Sequence, residues 1–264
     1  MVCLDTDVAN NVAGERNRET FQYPPRNSVF DTTNVIMKTV DIPIPEKDPF
    51  LLAITPKSSI WHRLTEVSRR MSNGKIGCDV TVEFQNADQG AADLVDKCLI
   101  QSKTRLSQSS RIVAQSYIKS ALDFFQQYAS SSSEENYLFK ARIVSSIGNV
   151  GQKCPRFHVD HVPLRLVLSL KGPGPVYIPF ENEIGVDRKS LNELDDLDTE
   201  RANSMIIPFG EKGYAEYAGE GEAMLLMGKA WEEEVRAIPH RSPRLKNNEE
   251  RILLVCDILP KQEE

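Results

Sequence analysis

The sequence has no CxxC pair, no sustained Lys/Arg stripe and only four histidines in 264 residues. It also lacks any apolar run near the ~20 residues that a membrane helix needs. Each absence removes a class of function. The five cysteines, Cys3, Cys78, Cys98, Cys154 and Cys256, are odd in number and irregular in spacing. A disulfide framework is therefore not expected, and free thiols suit a reducing compartment. The formal net charge is −6. A nucleic-acid partner needs a basic face to neutralise phosphates, and "RLSQSSR" and "HRSPRLK" are too short and isolated to make one. No nucleic-acid partner and no membrane partner are expected. The first residues show neither a basic n-region nor an apolar h-region, and Asp5, Asp7 and Glu15 speak against a transit peptide. A cytoplasmic protein is expected, with a nucleus or organelle stroma left open. "LKGPGPVYIP" lacks the Lys-Ser/Thr of a phosphate loop, and its prolines remove backbone donors. Ser242 stands in no G-x-S-x-G setting, which disfavours a serine hydrolase. There is no Rossmann fingerprint.

What is present is enough apolar residue to bury a core: 40% hydrophobic and 27% charged. Residues 1–35 are polar without period and read as a flexible leader. "VDIPIPEKDPF" reads as extended surface. Helical spacing of Ile60, Trp61, Leu64, Val67 and Met71, closed by Asn73-Gly74, predicts a helix. A second is expected over 92–106 and a third, the clearest, over 109–129. "CDVTVEF" alternates like a strand. After about residue 137 the pattern changes to short β-like runs: "YLFKARIVSSI", "LRLVLSL", "PVYIPF", "SMIIPFG", "AMLLMGK", "EVRAIPHR" and "RILLVCDIL". Short strands with Gly, Pro or charged punctuation predict a sandwich or closed barrel rather than βαβ units. The expected class is α+β. Residues 36–136 form helical support and 137–264 a jelly-roll-like metal-binding core, integrated as one domain over 36–264. The acidic stretch 181–201 reads either as a solvated loop or as a lid over the barrel mouth.

The chemistry concentrates in "CPRFHVDHVPLRLVLSL". His158 and Asp160 are two residues apart, so on an extended strand they face the same side. His240, in "AIPHRSPR", lies 80 residues beyond Asp160. Brought across the barrel it completes a two-His, one-carboxylate set. Such a set occupies one face of an octahedral ion and leaves the other open, as in non-haem Fe(II) oxygenases. Zinc would also accept it, with water in the fourth position. Each element alone has a plainer reading, since H-x-D arises by chance and a lone histidine is often a packed or surface residue. His161, adjacent to Asp160, points to the opposite strand face and reads as structural, or as a support or extra ligand to the metal. Cys154 reads as an inert buried thiol, or as part of a zinc cluster with His158, Asp160 and His161. His62, beside Trp61, reads as packing or surface.

The order of these motifs resembles the cupin and double-stranded β-helix Fe(II)/2-oxoglutarate dioxygenase superfamily over roughly residues 140–260. The matching features are H-x-D at 158–160, "GEAMLLM" at 221–227, the distal His240, and a basic residue, Arg251, eleven residues further on. The resemblance implies a double-stranded β-helix barrel, Fe(II) held by His158, Asp160 and His240, and 2-oxoglutarate anchored by Arg251. A guanidinium suits a carboxylate. A Ser or Thr is common two residues later; here it is Leu253, which puts 2-oxoglutarate in question and leaves Arg165 as an alternative anchor and Arg251 open to a plain strand-start role. The chain, "CPRFHVDHVPLRLVLSLKGPGPVYIP" above all, also resembles domain-of-unknown-function family 1826, which implies no activity. Three functions are thus expected in turn: an Fe(II)/2-oxoglutarate-dependent oxygenase of unknown substrate, a zinc-binding or metal-responsive cupin-like module without turnover, and a metal-free interaction scaffold.

Overall fold

The computed structural model of the chain describes residues 39–40, 79–103, 105–129, 138–148, 152–179, 185–193, 198–229 and 237–259. The expected leader and the helix predicted around residues 58–74 lie outside the described residues. So does most of the stretch preceding His240.

Two helices follow from local chemistry. Helix α1 (Ala87–Ser102) starts where the Asn86 side chain accepts hydrogen bonds from the amides of Asp88 and Gln89, at 2.9 and 3.2 Å. It ends at Lys103 in left-handed backbone. Helix α2 (Gln108–Ala129) buries Ala114, Tyr117, Ile118, Ala121, Leu122, Phe124, Phe125 and Ala129. These recur at helical spacing and make one apolar face. α2 matches the expected 109–129 to one residue, whereas α1 starts five residues and ends four residues before the expected 92–106, because Asn86 supplies the cap.

The strands form two antiparallel sheets. The larger has the order β1-β7-β4-β9-β3-β2, with β1 Thr39–Val40, β2 Asp79–Phe84, β3 Leu138–Ile147, β4 Leu164–Lys171, β7 Ala223–Met227 and β9 Glu250–Leu259. The smaller has the order β6-β5-β8, with β5 Val176–Tyr177, β6 Glu216–Tyr217 and β8 His240–Arg241. Alternation decides the faces. Phe139, Ala141 and Ile143 of β3, Ile252, Leu254, Cys256 and Ile258 of β9, and Leu164, Leu166 and Leu168 of β4 are buried in one core with α1 and α2. The intervening residues of the same strands point to the other face and line a cleft. A second core joins the small sheet to two short helices, α3 (Arg188–Glu193) and α4 (Thr199–Ile206), through Phe157, Val176, Ile178, Leu191, Ala202 and Ile206.

One predicted strand is absent: its first three residues, Ser204–Ile206, end a helix and the next four leave it in a turn. "SMIIPFG" reads as β because Ile206 and Ile207 are β-branched, but Asp198 caps α4 by accepting from the Arg201 amide at 3.0 Å. The buried Ala202 and Ile206, four apart, then face the second core. The acidic stretch supplies caps as well as charge: Asp187 accepts from the hydroxyl of Ser190 at 2.6 Å and from the Lys189 amide at 3.1 Å. "EVRAIPHR" contributes only the two residues of β8 as strand among its described residues. No helix among the described residues is long and apolar enough to cross a membrane.

Candidate metal centre

Backbone pairing brings the histidines together. His158 and His240 exchange both amide–carbonyl hydrogen bonds, each 2.9 Å, as an antiparallel bridge on the edge of the small sheet. Directly opposed residues in such a pair send their side chains to the same face. The ring centroids are 4.4 Å apart. Asp160, two residues after His158, follows onto that face. The nearest donor distances are 3.3 Å from His240 Nε2 to Asp160 Oδ2 and 3.8 Å from His158 Nε2 to Asp160 Oδ1. Both fall inside the ~4.4 Å that separates opposite donors on an ion with bonds of ~2.2 Å. Among the described residues, His158, Asp160 and His240 are the one group of three such side chains whose ligand atoms converge.

The surroundings hold each donor. Asn203 of α4 fixes the approach to His158, accepting from the Phe157 amide at 2.8 Å and donating to the Pro155 carbonyl at 3.2 Å. Asp160's carbonyl accepts from the Lys229 amide at 2.7 Å. Gly228 lets that contact form: a Cβ there would lie 1.9 Å from the Val162 carbonyl oxygen and 2.7 Å from that of Asp160. Gly228→Ala is therefore expected to push the 160–163 segment away, at about 1–3 kcal/mol of overpacking. Thermal unfolding and metal titration of that variant check this; unchanged values in both would refute the role given to Gly228.

Hydrogen-bond direction fixes what the imidazoles offer. His158 Nδ1 lies 2.9 Å from the Arg156 carbonyl and His240 Nδ1 lies 3.0 Å from the Ile238 carbonyl. A carbonyl only accepts, so each Nδ1 carries the hydrogen, and in the neutral ring Nε2 presents its lone pair. Burial, aided by the nearby His240, pulls the His158 pKa down to about 4, so this ring is neutral at pH 7. For Asp160 burial opposes ionisation, yet the Arg165 guanidinium, then the two histidines, hold its carboxyl well below the usual carboxylate range. Arg165 Nη1 donates to Asp160 Oδ1 at 2.6 Å. Its Nε and Nη2 grip both oxygens of Asp257, at 2.6 and 2.9 Å. Asp160 Oδ2 is buried and accepts no hydrogen bond. Three lone-pair donors thus converge with one carboxylate oxygen unsatisfied. Buried polar groups are almost always partnered, and a divalent cation satisfies all three donors at once. The donor set fits a metal.

The cleft beside the donors has a volume of about 150 Å³. Arg251 lies at its deep end, only 4% exposed. It donates from Nε to the Pro173 carbonyl and from Nη1 to Ser242 Oγ, both at 2.8 Å. No carboxylate pairs with it among the described residues, and burial lowers its pKa to about 10, against the opposing influence of Cys154. Burial at that value leaves it a cation at neutral pH. Cys154 lines the cleft outside the converging group, and His161 is exposed. The four-ligand zinc cluster with Cys154 and His161 is therefore not assembled among the described residues.

Sequence reasoning missed Asp257, Ser242 and Asn203. Asp257 had a signal: it is an acid inside the apolar run "RILLVCDIL", as Arg165 is a base inside "LRLVLSL". Their register, Arg165 opposite Asp257, makes them partners.

No curated protein matches the sequence. Among solved structures, the dioxygenase for auxin oxidation 1 of Arabidopsis thaliana, in a binary complex with 2-oxoglutarate, aligns over 77% of this chain and 76% of its own, at 12% identity and a TM-score of 0.41. The dioxygenase for auxin oxidation of rice aligns over 76% and 67%, at 13% identity and a TM-score of 0.39. A Pseudomonas putida prolyl-4-hydroxylase aligns over 77% and 86%, at 13% identity and a TM-score of 0.33. Residues 150–257, which hold the three converging donors and Arg251, match the model of the family described as "Protein of unknown function (DUF1826)", the family that the histidine-bearing segment resembles.

Proposed function

We propose that this chain is a non-haem Fe(II)-dependent oxygenase that uses 2-oxoglutarate, with the two sheets forming a jelly-roll core. The observation that carries the reading is the convergence of two imidazole Nε2 atoms and one carboxylate oxygen without a hydrogen-bond partner, beside a cleft that ends in a buried guanidinium with no carboxylate partner among the described residues. Two histidines and one carboxylate leave positions open for other ligands, which a closed structural site does not. Bound Fe(II) would supply the redox chemistry that couples O₂ to oxidation of the 2-oxo acid and the substrate.

The chain's own residues do the rest. His158, Asp160 and His240 hold the ion. Arg251 binds the distal carboxylate of 2-oxoglutarate, and Ser242 places a hydroxyl beside that guanidinium. This offsets the departure at Leu253, which instead contributes apolar floor. Arg165 is committed to Asp160 and Asp257, so the anchoring role falls to Arg251. Depth in the cleft keeps water from competing for the ion pair. Truncating one partner of a buried charge pair costs about 2–5 kcal/mol. Arg251→Leu is therefore expected to weaken 2-oxoglutarate binding by roughly 30-fold or more by that scale. Arg251→Lys should recover part of the loss. Calorimetric titration of the Mn(II)-loaded protein reads both values, and equal affinity in all three proteins would remove the anchor.

The test of the function is elemental analysis of anaerobically purified protein beside His158→Ala, followed by addition of 2-oxoglutarate to the Fe(II) form. One equivalent of iron, lost in the variant, and a metal-to-ligand charge-transfer band are the expected results. Tightly held zinc without a response to 2-oxoglutarate would replace the oxygenase with a metal-binding module. Absence of any stoichiometric metal would leave a scaffold.

A further inference from the structure

The cleft has two ends of different character, and the cosubstrate accounts for one. Strand register fixes the order of side chains across its floor. Ser146 lies opposite Arg251, Val144 opposite Leu253, Arg142 opposite Val255, and Lys140 opposite Asp257. On the other side of β9, Val167 lies opposite Val255 and Arg165 opposite Asp257. Arg251 and the Arg142 row are four residues apart along β9, which is about 13 Å at ~3.3 Å per residue. Between and beside them runs an apolar strip of Val144, Leu253, Val255 and Val167, all lining the cleft.

Exposure separates the ends. Arg251 is 4% exposed, whereas the Arg142 and Lys153 side chains are 26% and 53% exposed. Arg251 therefore marks the depth and the other two mark the mouth. At the mouth, Arg142 donates from Nε and Nη2 to the two oxygens of Asp79, at 2.6 and 2.5 Å. Lys153 Nζ reaches the same Asp79 Oδ2 at 3.4 Å. Among the described residues, two cations thus share this carboxylate. An ammonium has three donors, and Asp79 takes one of those of Lys153 at long range. Among the described residues, the side chains of this wall carry one positive charge in excess, in a chain whose net charge is −6, and face an apolar floor. Such a wall concentrates anions at the mouth and orients them.

We infer that the substrate oxidised at this site is a small amphiphilic anion: its carboxylate or phosphate rests on Lys153 and Arg142, and its apolar body lies across Val144, Val167 and Val255 toward the three metal donors. The inference rests on the oxygenase reading for the word oxidised, but the charge recognition stands by itself. A neutral molecule of the same shape gains the strip and loses the wall. A fully polar anion gains the wall and loses the strip.

The test uses the full chain loaded with Mn(II) and 2-oxoglutarate, with hexanoate, hexyl phosphate and hexanamide as probes in ligand-observed NMR. Either anion is expected to bind about fivefold tighter than the amide, the upper end of what an exposed ion pair contributes. The tighter anion names the group recognised. Broadening by Mn(II) should be stronger at the methyl end than beside the anionic group. Lys153→Glu, a half-exposed position where folding is not at stake, should abolish the preference for anions while leaving hexanamide binding as it was; Arg142→Gln should reduce it. Equal binding of amide and anions, an unaltered preference in Lys153→Glu, no binding of either anion, or strongest broadening beside the anionic group would each overturn the inference. Failure to bind Mn(II) would instead remove the oxygenase reading. The anion preference would then still be decided by the same three probes on chelator-treated protein.

Discussion

The Asp160→Asn protein is expected to bind Fe(II), Mn(II) or Zn(II) more than ~100-fold more weakly than the native chain, the upper end of what lost support to a ligand costs, because here the ligand charge itself is removed. Its stability in chelator should be close to native. The geometry explains the contrast. The amide oxygen replaces Oδ1 and still accepts from Arg165 Nη1, now 2.6 Å from that carboxylate oxygen. Oriented that way, the amide NH₂ takes the place of Oδ2, 3.3 Å from His240 Nε2. It can donate to the lone pair that Nε2 presents, so the one unsatisfied oxygen disappears. Arg165 keeps its two bonds to Asp257. One buried charge is gone, and no donor is stranded. Metal titration and urea unfolding of the chelated proteins read the two quantities. A variant that holds metal as tightly as the native chain would remove Asp160 from the ligand set. One that unfolds before metal is added would show that Asp160 is chiefly a structural ion-pair partner.

Much of this site is legible in the sequence alone. The two-residue spacing of His158 and Asp160 places both on one side of extended chain, and that holds because the period of such backbone is set by the chain itself. Helix α2 was legible for the same reason, as its apolar positions recur with the helical period. The pairing of His158 with His240 was only an expectation of topology. What makes them neighbours is a backbone bridge between segments 82 residues apart, and no local pattern encodes it. In the sequence Arg165 reads as an alternative carboxylate anchor, because it lies on the strand that follows His158 and Asp160. Its partners Asp160 and Asp257 are fixed by strand register, which depends on every residue of β4 and β9 together. Ser242 escaped for a related reason: its value lies in the approach of β9's first turn of chain to the segment after β8. The α4 segment was misread because two β-branched isoleucines outweighed the cap at Asp198, the usual way in which propensity yields to a well-placed helix start.

The opposite pattern is expected of Arg165→Leu. The native guanidinium lies between two carboxylates whose side chains are 7% and 13% exposed, and is itself 15% exposed. Leucine fills much of the volume and leaves Asp160 and Asp257 as buried anions without their shared cation. Breaking such a group by removing one partner costs about 3–5 kcal/mol. In chelator, the variant should therefore unfold at markedly lower urea than the native chain. Metal changes the balance in a direction that plain loss of packing would not. With Arg165 gone, Asp160 Oδ1 is no longer drawn toward a guanidinium, and a divalent ion supplies the countercharge for the carboxylate. Whatever binds the folded state alone stabilises it in proportion to its affinity. Added Mn(II) should thus raise the stability of Arg165→Leu by more than it raises that of the native protein. Asp257→Asn, whose amide oxygen still accepts from Arg165 while its charge is lost, should fall between the two. If metal stabilised native and Arg165→Leu proteins equally, Arg165 would be a packing residue whose charge does not reach the ligand. A larger metal effect in the variant would show that Asp160 divides its charge between guanidinium and ion, and that the Asp257–Arg165 pair sets how much of it the metal receives.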